Sequence, residues 1–211
     1  MGYNESYIKA KETVASLFRE KKENDRGDRR RPHGQIITEA FPVLDLGVKP
    51  DFDQKRWRLK VYGLVEKKQE LAYDNILGMP ATALTADFSC VTHWTKLDVK
   101  WKGVAFKDFV KFVKPKDNWR FLIQESADGY TTNVPREDLE LENVLLAYEL
   151  EGKPLSREHG WPLRLIIPHL YGWKGAKFLK ALKFTDKDEP GFWETRGYHN
   201  HGDAWKQERY G

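Results

Sequence analysis

The chain of 211 residues contains a single cysteine, Cys90, and two methionines. A lone cysteine cannot close an internal disulfide. Cys90 is therefore either buried packing, in keeping with how often free cysteine is buried, or a reactive or metal-binding thiolate. No apolar run approaches the roughly 20 residues that a membrane-spanning helix needs, and no apolar stretch of the kind a secretory signal requires stands near the N-terminus. Arg29, Arg30 and Arg31 open like a twin-arginine export signal, but Pro32, His33, Gly34 and Gln35 occupy the positions where a long apolar segment would begin. A cytoplasmic location is the expectation. Glycine-rich phosphate loops are missing, and so are a C-x-x-C-H haem motif and a His-Glu-x-x-His zinc signature.

A large excess of one sign of charge is also lacking, with 36 Lys/Arg against 32 Asp/Glu. The net charge is +4, and residues 1–31 account for most of it, with nine Lys/Arg against six acidic residues. The remainder is close to neutral, so nothing here requires the broad basic surface of a nucleic-acid binder. What the chain has in quantity is aromatic: 13% of residues, including eight tryptophans, within a 40% hydrophobic content that calls for a packed interior.

Residues 5–23 predict an amphipathic helix, with Tyr7, Ile8, Val14, Leu17 and Phe18 as its apolar stripe, and Asn24 to Pro32 read as a polar linker. Two units follow from this, an N-terminal arm over 1–31 and one domain over 32–211. From Gly34 onward the segments are short. Trp57, Leu59 and Val61 alternate with Arg58, Lys60 and Tyr62 as in a half-buried strand ending at Gly63. Strand patterns recur at Thr82–Phe88, Phe121–Gln124, Val144–Leu150 and Leu163–Ile167. Phe106, Phe109, Val110 and Val113 have helical spacing, with Gly103 as a break before them. Few helices and no regular helical crossovers predict a mixed, mostly β, α+β fold.

Four segments in fixed order carry the chemistry. They are Ser89-Cys90-Val91-Thr92-His93-Trp94; His159-Gly160-Trp161-Pro162-Leu163-Arg164; Gly172-Trp173-Lys174-Gly175-Ala176-Lys177-Phe178-Leu179; and Gly191-Phe192-Trp193-Glu194 leading to Gly197-Tyr198-His199 and Gly202-Asp203. With Arg31–Gln35 and Phe41–Gly47, they resemble the molybdopterin-binding domain of the sulfite oxidase family, in particular its short single-domain prokaryotic members. That resemblance implies the sulfite-oxidase-type fold and a molybdenum cofactor, with a tungsten form as a variant. It implies a two-electron oxygen-atom transfer on a small substrate of sulfite, sulfoxide or N-oxide type. By the same resemblance Cys90 is the metal's protein ligand, and soft thiolate sulfur suits such a centre. His159, Arg164 and Lys177 fall at positions that contact the pterin and phosphate. Gly175 and Leu179 complete the cradle through backbone groups, and His33 and Asp128 are further cofactor candidates. Asp128 is equally explained as the cap of an Asp-Gly turn. Tyr198 falls at an active-site tyrosine, and His93 is a candidate proton donor near the substrate.

One departure from the family pattern bears on substrate. Sulfite-oxidising members carry an arginine shortly after the cysteine, where this chain has Val91-Thr92-His93-Trp94-Thr95. With no haem motif, electrons must pass to or from a separate redox partner, and the molecule is expected to be a monomer or weak oligomer. Two alternatives stand beside this reading: a catalytically degenerate molybdopterin-binding protein, and a zinc hydrolase assembled from His93, His159, His169, His199 and His201.

Overall fold

A computed structural model of the chain describes Glu5, Ser6, Lys9 and residues 30–211. The apolar stripe of the expected N-terminal helix and most of the expected linker lie outside the described residues. Arg30, at the edge of the described body, reaches across to Asp87 at 2.9 Å and Asp98 at 2.7 Å.

Two β-sheets make up the architecture. The first contains β1 (Ile36–Ile37), β4 (Ala81–Cys90), β5 (Trp94–Ala105), β8 (Leu145–Leu150), β9 (Lys153–Pro154) and β10 (Arg164–Ile166). Its main path runs β1-β5-β8-β10, with β4 on β5 and β9 on β8. The second sheet has the order β3-β2-β11-β6-β7. Its strands are β2 (Arg58–Gly63), β3 (Gln69–Ala72), β6 (Phe121–Ser126), β7 (Thr131–Pro135) and β11 (Leu179–Thr185). Between strands of the two sheets lie the short helices α1 (Tyr73–Leu77), α2 (Phe106–Val113) and α3 (Arg136–Leu139). None of the described helices is long and apolar enough to cross a membrane.

The alternation read from the sequence is realised in β2, where Leu59 and Val61 are fully buried while Arg58 and Lys60 are exposed. Those inward residues join Leu122, Val134, Leu182 and Phe184 of the second sheet, Val104, Leu146 and Leu165 of the first, and Phe106, Phe109 and Val113 of α2 in one core. Burying such side chains is worth about 1.5–3 kcal/mol each, so the core depends on both sheets together. Gly103 does not break the chain before α2. It lies within β5 at a register shift against β8, where an added Cβ would sit 2.0 Å from the Leu146 carbonyl oxygen. Glycine is required there by the close approach of two backbones, not by a turn.

The long β4–β5 hairpin delivers Cys90 to the molecule's surface cleft. Cys90 pairs with Trp94 as the last rung, and Val91, Thr92 and His93 close the turn. A second hairpin, β6–β7, turns at Asp128-Gly129, with Gly129 at φ 91°. The two turns converge on one cavity.

Candidate active site

The cavity has a volume of about 150 Å³, and its wall includes Cys90, Asp128, His159, Arg164, Gly175, Lys177 and Tyr198. Seven of the residues singled out from sequence are thus brought together from five distant segments. Around Cys90 the lining is aromatic: Cys90 and Val91 pack with Trp94, Tyr171 and Trp173, and Phe41, Phe88, Trp193 and Tyr198 flank them. Tyr198 meets the Trp193 ring at 4.9 Å and the Trp173 ring at 5.5 Å between centroids.

Cys90 is buried, and its sulfur accepts a hydrogen bond from Thr92 Oγ1 at 3.1 Å. Burial pushes the free thiol up, with the Thr92 bond and the charge of Arg209 acting against that push. Metal coordination removes the proton from a ligating thiol outright. The turn that presents Cys90 is held from behind. Gln35 Nε2 donates to the Cys90 carbonyl at 3.0 Å, and the buried Arg209 donates to the Val91 carbonyl at 2.6 Å while lying 4.7 Å from the Tyr171 ring centre.

The other end of the cavity is polar. Arg164 is 4% exposed, gives one hydrogen bond from Nη1 to the His159 carbonyl at 3.0 Å, and lies 5.3 Å from the ring centres of both Phe88 and Trp101. Its Nε is buried with no hydrogen-bond partner, and no carboxylate pairs with it among the described residues. Burial alone pulls its pKa down to about 10. Burial, and then the neighbouring Arg164 charge, lowers His159, so it presents a neutral imidazole whose Nδ1 meets Ser156 Oγ at 2.9 Å. Lys177 Nζ donates to the Glu158 carbonyl at 2.9 Å. Asp128 both caps its turn, accepting from Tyr130 N–H at 3.1 Å, and lines the cavity; burial raises its pKa. A Cβ at Gly175 would lie 2.2 Å from the Leu165 carbonyl oxygen, so only glycine lets the backbone run this close beneath the cavity.

Three candidates fall elsewhere. The turn after Cys90 takes His93 into a left-handed conformation, φ 69°, and its buried ring sits with Nδ1 3.0 Å from the Gly34 carbonyl oxygen instead of in the cavity wall. A proton-donating role for His93 at the substrate does not fit this placement. Leu179 has both backbone groups spent inside the fold, its N–H on Leu163 O at 3.1 Å and its carbonyl accepting from Trp57 Nε1 at 3.0 Å. His33 is exposed and does not line the cavity. The histidines of the zinc alternative are likewise dispersed. His169 and His201 both bond Asp138, at 2.8 and 3.0 Å, and among the described residues no group of three His, Cys, Asp or Glu side chains is arranged to hold a metal ion.

Beneath the aromatic wall is a feature that sequence reasoning missed. Lys174 is fully buried and donates to Glu194 Oε1 at 2.6 Å, Asn133 Oδ1 at 2.8 Å and the Asn200 carbonyl at 2.8 Å. Glu194 Oε1 also accepts from Thr132 Oγ1 at 2.7 Å and Trp173 Nε1 at 3.1 Å. A lysine in a Gly-Trp-Lys-Gly string ordinarily reads as solvated surface, and nothing local marks it otherwise. Arg209, near the end of the chain, carried no local signal either.

A cysteine sulfur at the mouth of a hairpin turn, a buried guanidinium lacking an anion and a glycine-floored cleft together suit a large anionic cofactor with a soft-metal end. Residues 46–193 match the family model described as oxidoreductase molybdopterin binding domain. The chain belongs to that family. This molybdopterin-binding oxidoreductase is 42% identical over 182 residues to the oxidoreductase YuiH of Bacillus subtilis, covering 86% of this chain and 92% of YuiH. It is 27% identical to the protein-methionine-sulfoxide reductase catalytic subunit MsrP of Campylobacter jejuni, over 72% of this chain and 57% of that protein. Against the mitochondrial sulfite oxidase of Drosophila melanogaster it is 28% identical, over 76% of this chain and 33% of the relative. The chain thus spans little more than half of the one and a third of the other. Its fold is that of the sulfane dehydrogenase SoxCD from Paracoccus pantotrophus, with a TM-score of 0.62 at 22% identity over 74% of this chain and 46% of the other. The sulfite-oxidase-type fold and the molybdenum cofactor expected from sequence are those of the family.

Proposed function

We propose that this molybdopterin oxidoreductase reduces a small neutral sulfoxide, taking two electrons and two protons to release the thioether and water. One observation carries the reading: the surroundings of Cys90 are aromatic, and the arginine nearest the turn, Arg209, is committed to the Val91 carbonyl behind it. A sulfite dianion would have to leave water for such a wall without a dedicated cation, and burying an unpaired charge is strongly unfavourable. A sulfoxide brings only a dipole and an apolar body. The names of the MsrP relatives point to the same chemistry.

In this reading Cys90 would ligate the metal, and Arg164, Lys177, His159 and the backbone at Gly175 would hold the pterin and its phosphate. The cofactor, when bound, supplies the two-electron redox change. The protein supplies the rest. Arg164 brings a planar donor fork suited to phosphate oxygens. The Trp173, Trp193 and Tyr198 rings exclude water, and the Tyr198 hydroxyl can donate a hydrogen bond to a substrate oxygen as negative charge grows on it.

The test uses cofactor-loaded protein with reduced viologen as electron donor and a methyl sulfoxide as acceptor, beside sulfite with ferricyanide. Sulfoxide turnover is expected, with Tyr198→Phe lowering kcat by about 10²-fold while cofactor content holds. Sulfite oxidation without sulfoxide reduction would overturn the substrate assignment. A loaded protein inert in both directions would favour the degenerate binding protein.

A further inference from the structure

The second sheet carries a broad groove on its outer face, about 600 Å³ in volume, that is separate from the Cys90 cavity. Its basic residues are Arg58 and Lys60 of β2, Lys68 just before β3, and Lys180 of β11; its carboxylates are Glu70 and Glu125. The two carboxylates leave the groove lining with an excess of two positive charges. Glu125 accepts a hydrogen bond from the Tyr62 hydroxyl, and Glu70 stands 3.7 Å from Lys60 with both side chains more than 60% exposed, a geometry that contributes little. Arg58 donates only to backbone carbonyls, those of Lys55 and Trp57, and neither Lys68 nor Lys180 has an ion-pair partner among the described residues. Lys180 faces outward at a bulge, where the register of β11 against β6 shifts between Leu179 and Ala181. Bulges re-aim single side chains in this way.

Position gives the groove its meaning. Glu125 is followed directly by Ser126, and Lys180 stands three residues after Lys177; Ser126 and Lys177 both line the Cys90 cavity. At about 3.3 Å per residue, one residue step along β6, from Glu125 to Ser126, separates the groove lining from the cavity lining. The chain has no C-x-x-C-H motif and one cysteine, so it has neither a c-type haem attachment site nor the four cysteines that ligate an iron–sulfur cluster. Resting on the reduction proposed above, we infer that the basic groove of the second sheet is the docking surface for an acidic, one-electron carrier protein. Two reduced carriers each give up one electron per sulfoxide, and the two protons come from solvent. Complementary charge of this kind mainly accelerates encounter and makes it sensitive to salt. A basic carrier would be repelled.

The experiment uses holoenzyme, a reduced acidic plant-type ferredoxin as probe, and the triple variant Lys60→Glu, Lys68→Glu, Lys180→Glu. Carrier oxidation in the presence of sulfoxide is followed by stopped flow at low and high ionic strength, with binding measured by calorimetry and viologen-driven turnover as the control. Wild type should take electrons from ferredoxin in a reaction slowed about tenfold or more by salt. The triple variant should lose that rate and its salt dependence while viologen turnover stays within about twofold. Variants with glutamine at the same three positions should fall between. Equal ferredoxin rates in wild type and variant, or no ferredoxin binding by a wild type that works with viologen, would overturn the docking assignment. Failure of viologen turnover in wild type would instead count against the sulfoxide reading, and the calorimetric comparison would still decide the surface.

Discussion

Arg164 carries its charge to 4% exposure and meets a carbonyl and two aromatic faces, but no carboxylate. Such a group is costly to bury in the protein alone, and under the proposed function it is the cofactor's anion that offsets the cost. Arg164→Met should therefore stabilise the cofactor-free protein, by an amount on the order of 1–4 kcal/mol seen as a higher thermal midpoint, while abolishing pterin retention. Calorimetry together with molybdenum and pterin assays checks both halves; a destabilised variant would show the guanidinium to be structural. Arg209 makes the opposite case. It fills a space behind the Cys90 turn and satisfies the Val91 carbonyl, so Arg209→Met should cost about 1–3 kcal/mol and loosen the turn. The alkylation rate of Cys90 in metal-free protein should rise, and an unchanged rate would show that the turn is held without it.

At the scale of elements, the Lys174–Glu194 pair ties the Gly172–Lys174 turn to β7 through Asn133 and Thr132, and to the loop carrying Tyr198 through Asn200. The side chains are 0% and 1% exposed, so removing one partner strands the other. Lys174→Met should destabilise the fold by about 3–5 kcal/mol, and Lys174→Met with Glu194→Leu should recover much of that, as denaturant titration of the three proteins would show. Sequence reading stopped short of this pair for a physical reason. Strand alternation in β2, the helical spacing of α2 and the motif order around Cys90 are local signals, each set by which face of one element is buried. A buried lysine depends on three partners supplied by distant segments. His93 failed as a candidate through a similar cause, since one left-handed residue at the hairpin turn decides which side its ring takes. The bulge that turns Lys180 outward leaves no mark in composition either.

Across the whole molecule, the segment from His199 to Arg209 is fastened by backbone hydrogen bonds to His169 and Tyr171 and by an ionic clasp at His201. His201 Nε2 lies 3.0 Å from Asp138 Oδ2 at the end of β7–α3, and His201 Nδ1 lies 2.7 Å from Glu208 Oε2. Two carboxylates on one imidazole favour its charged form. The Asp138 bond, resisted by burial and helped by the Glu208 bond, lifts His201 to about 9. Burial pushes Asp138 up, yet the bonds from His169 and His201 outweigh it and hold this carboxyl well below the usual range. For His201 the folded value exceeds the unfolded one of about 6.5, so its contribution is fully present below that value and is lost as pH rises through about 9. Asp138 works in the reverse sense, its contribution being lost only in acid. Because the same segment delivers Arg209 to the Cys90 turn, opening the clasp should reach the active site as well as global stability. Thermal unfolding of wild type is expected to show a falling midpoint between about pH 6.5 and pH 9, a slope that His201→Gln removes, and Cys90 in the variant should alkylate faster than in wild type at neutral pH. A wild-type midpoint flat across that interval would mean that His201 binds its proton no more tightly in the fold than in the unfolded chain, and that the segment is held by its backbone hydrogen bonds to His169 and Tyr171 and by Arg209.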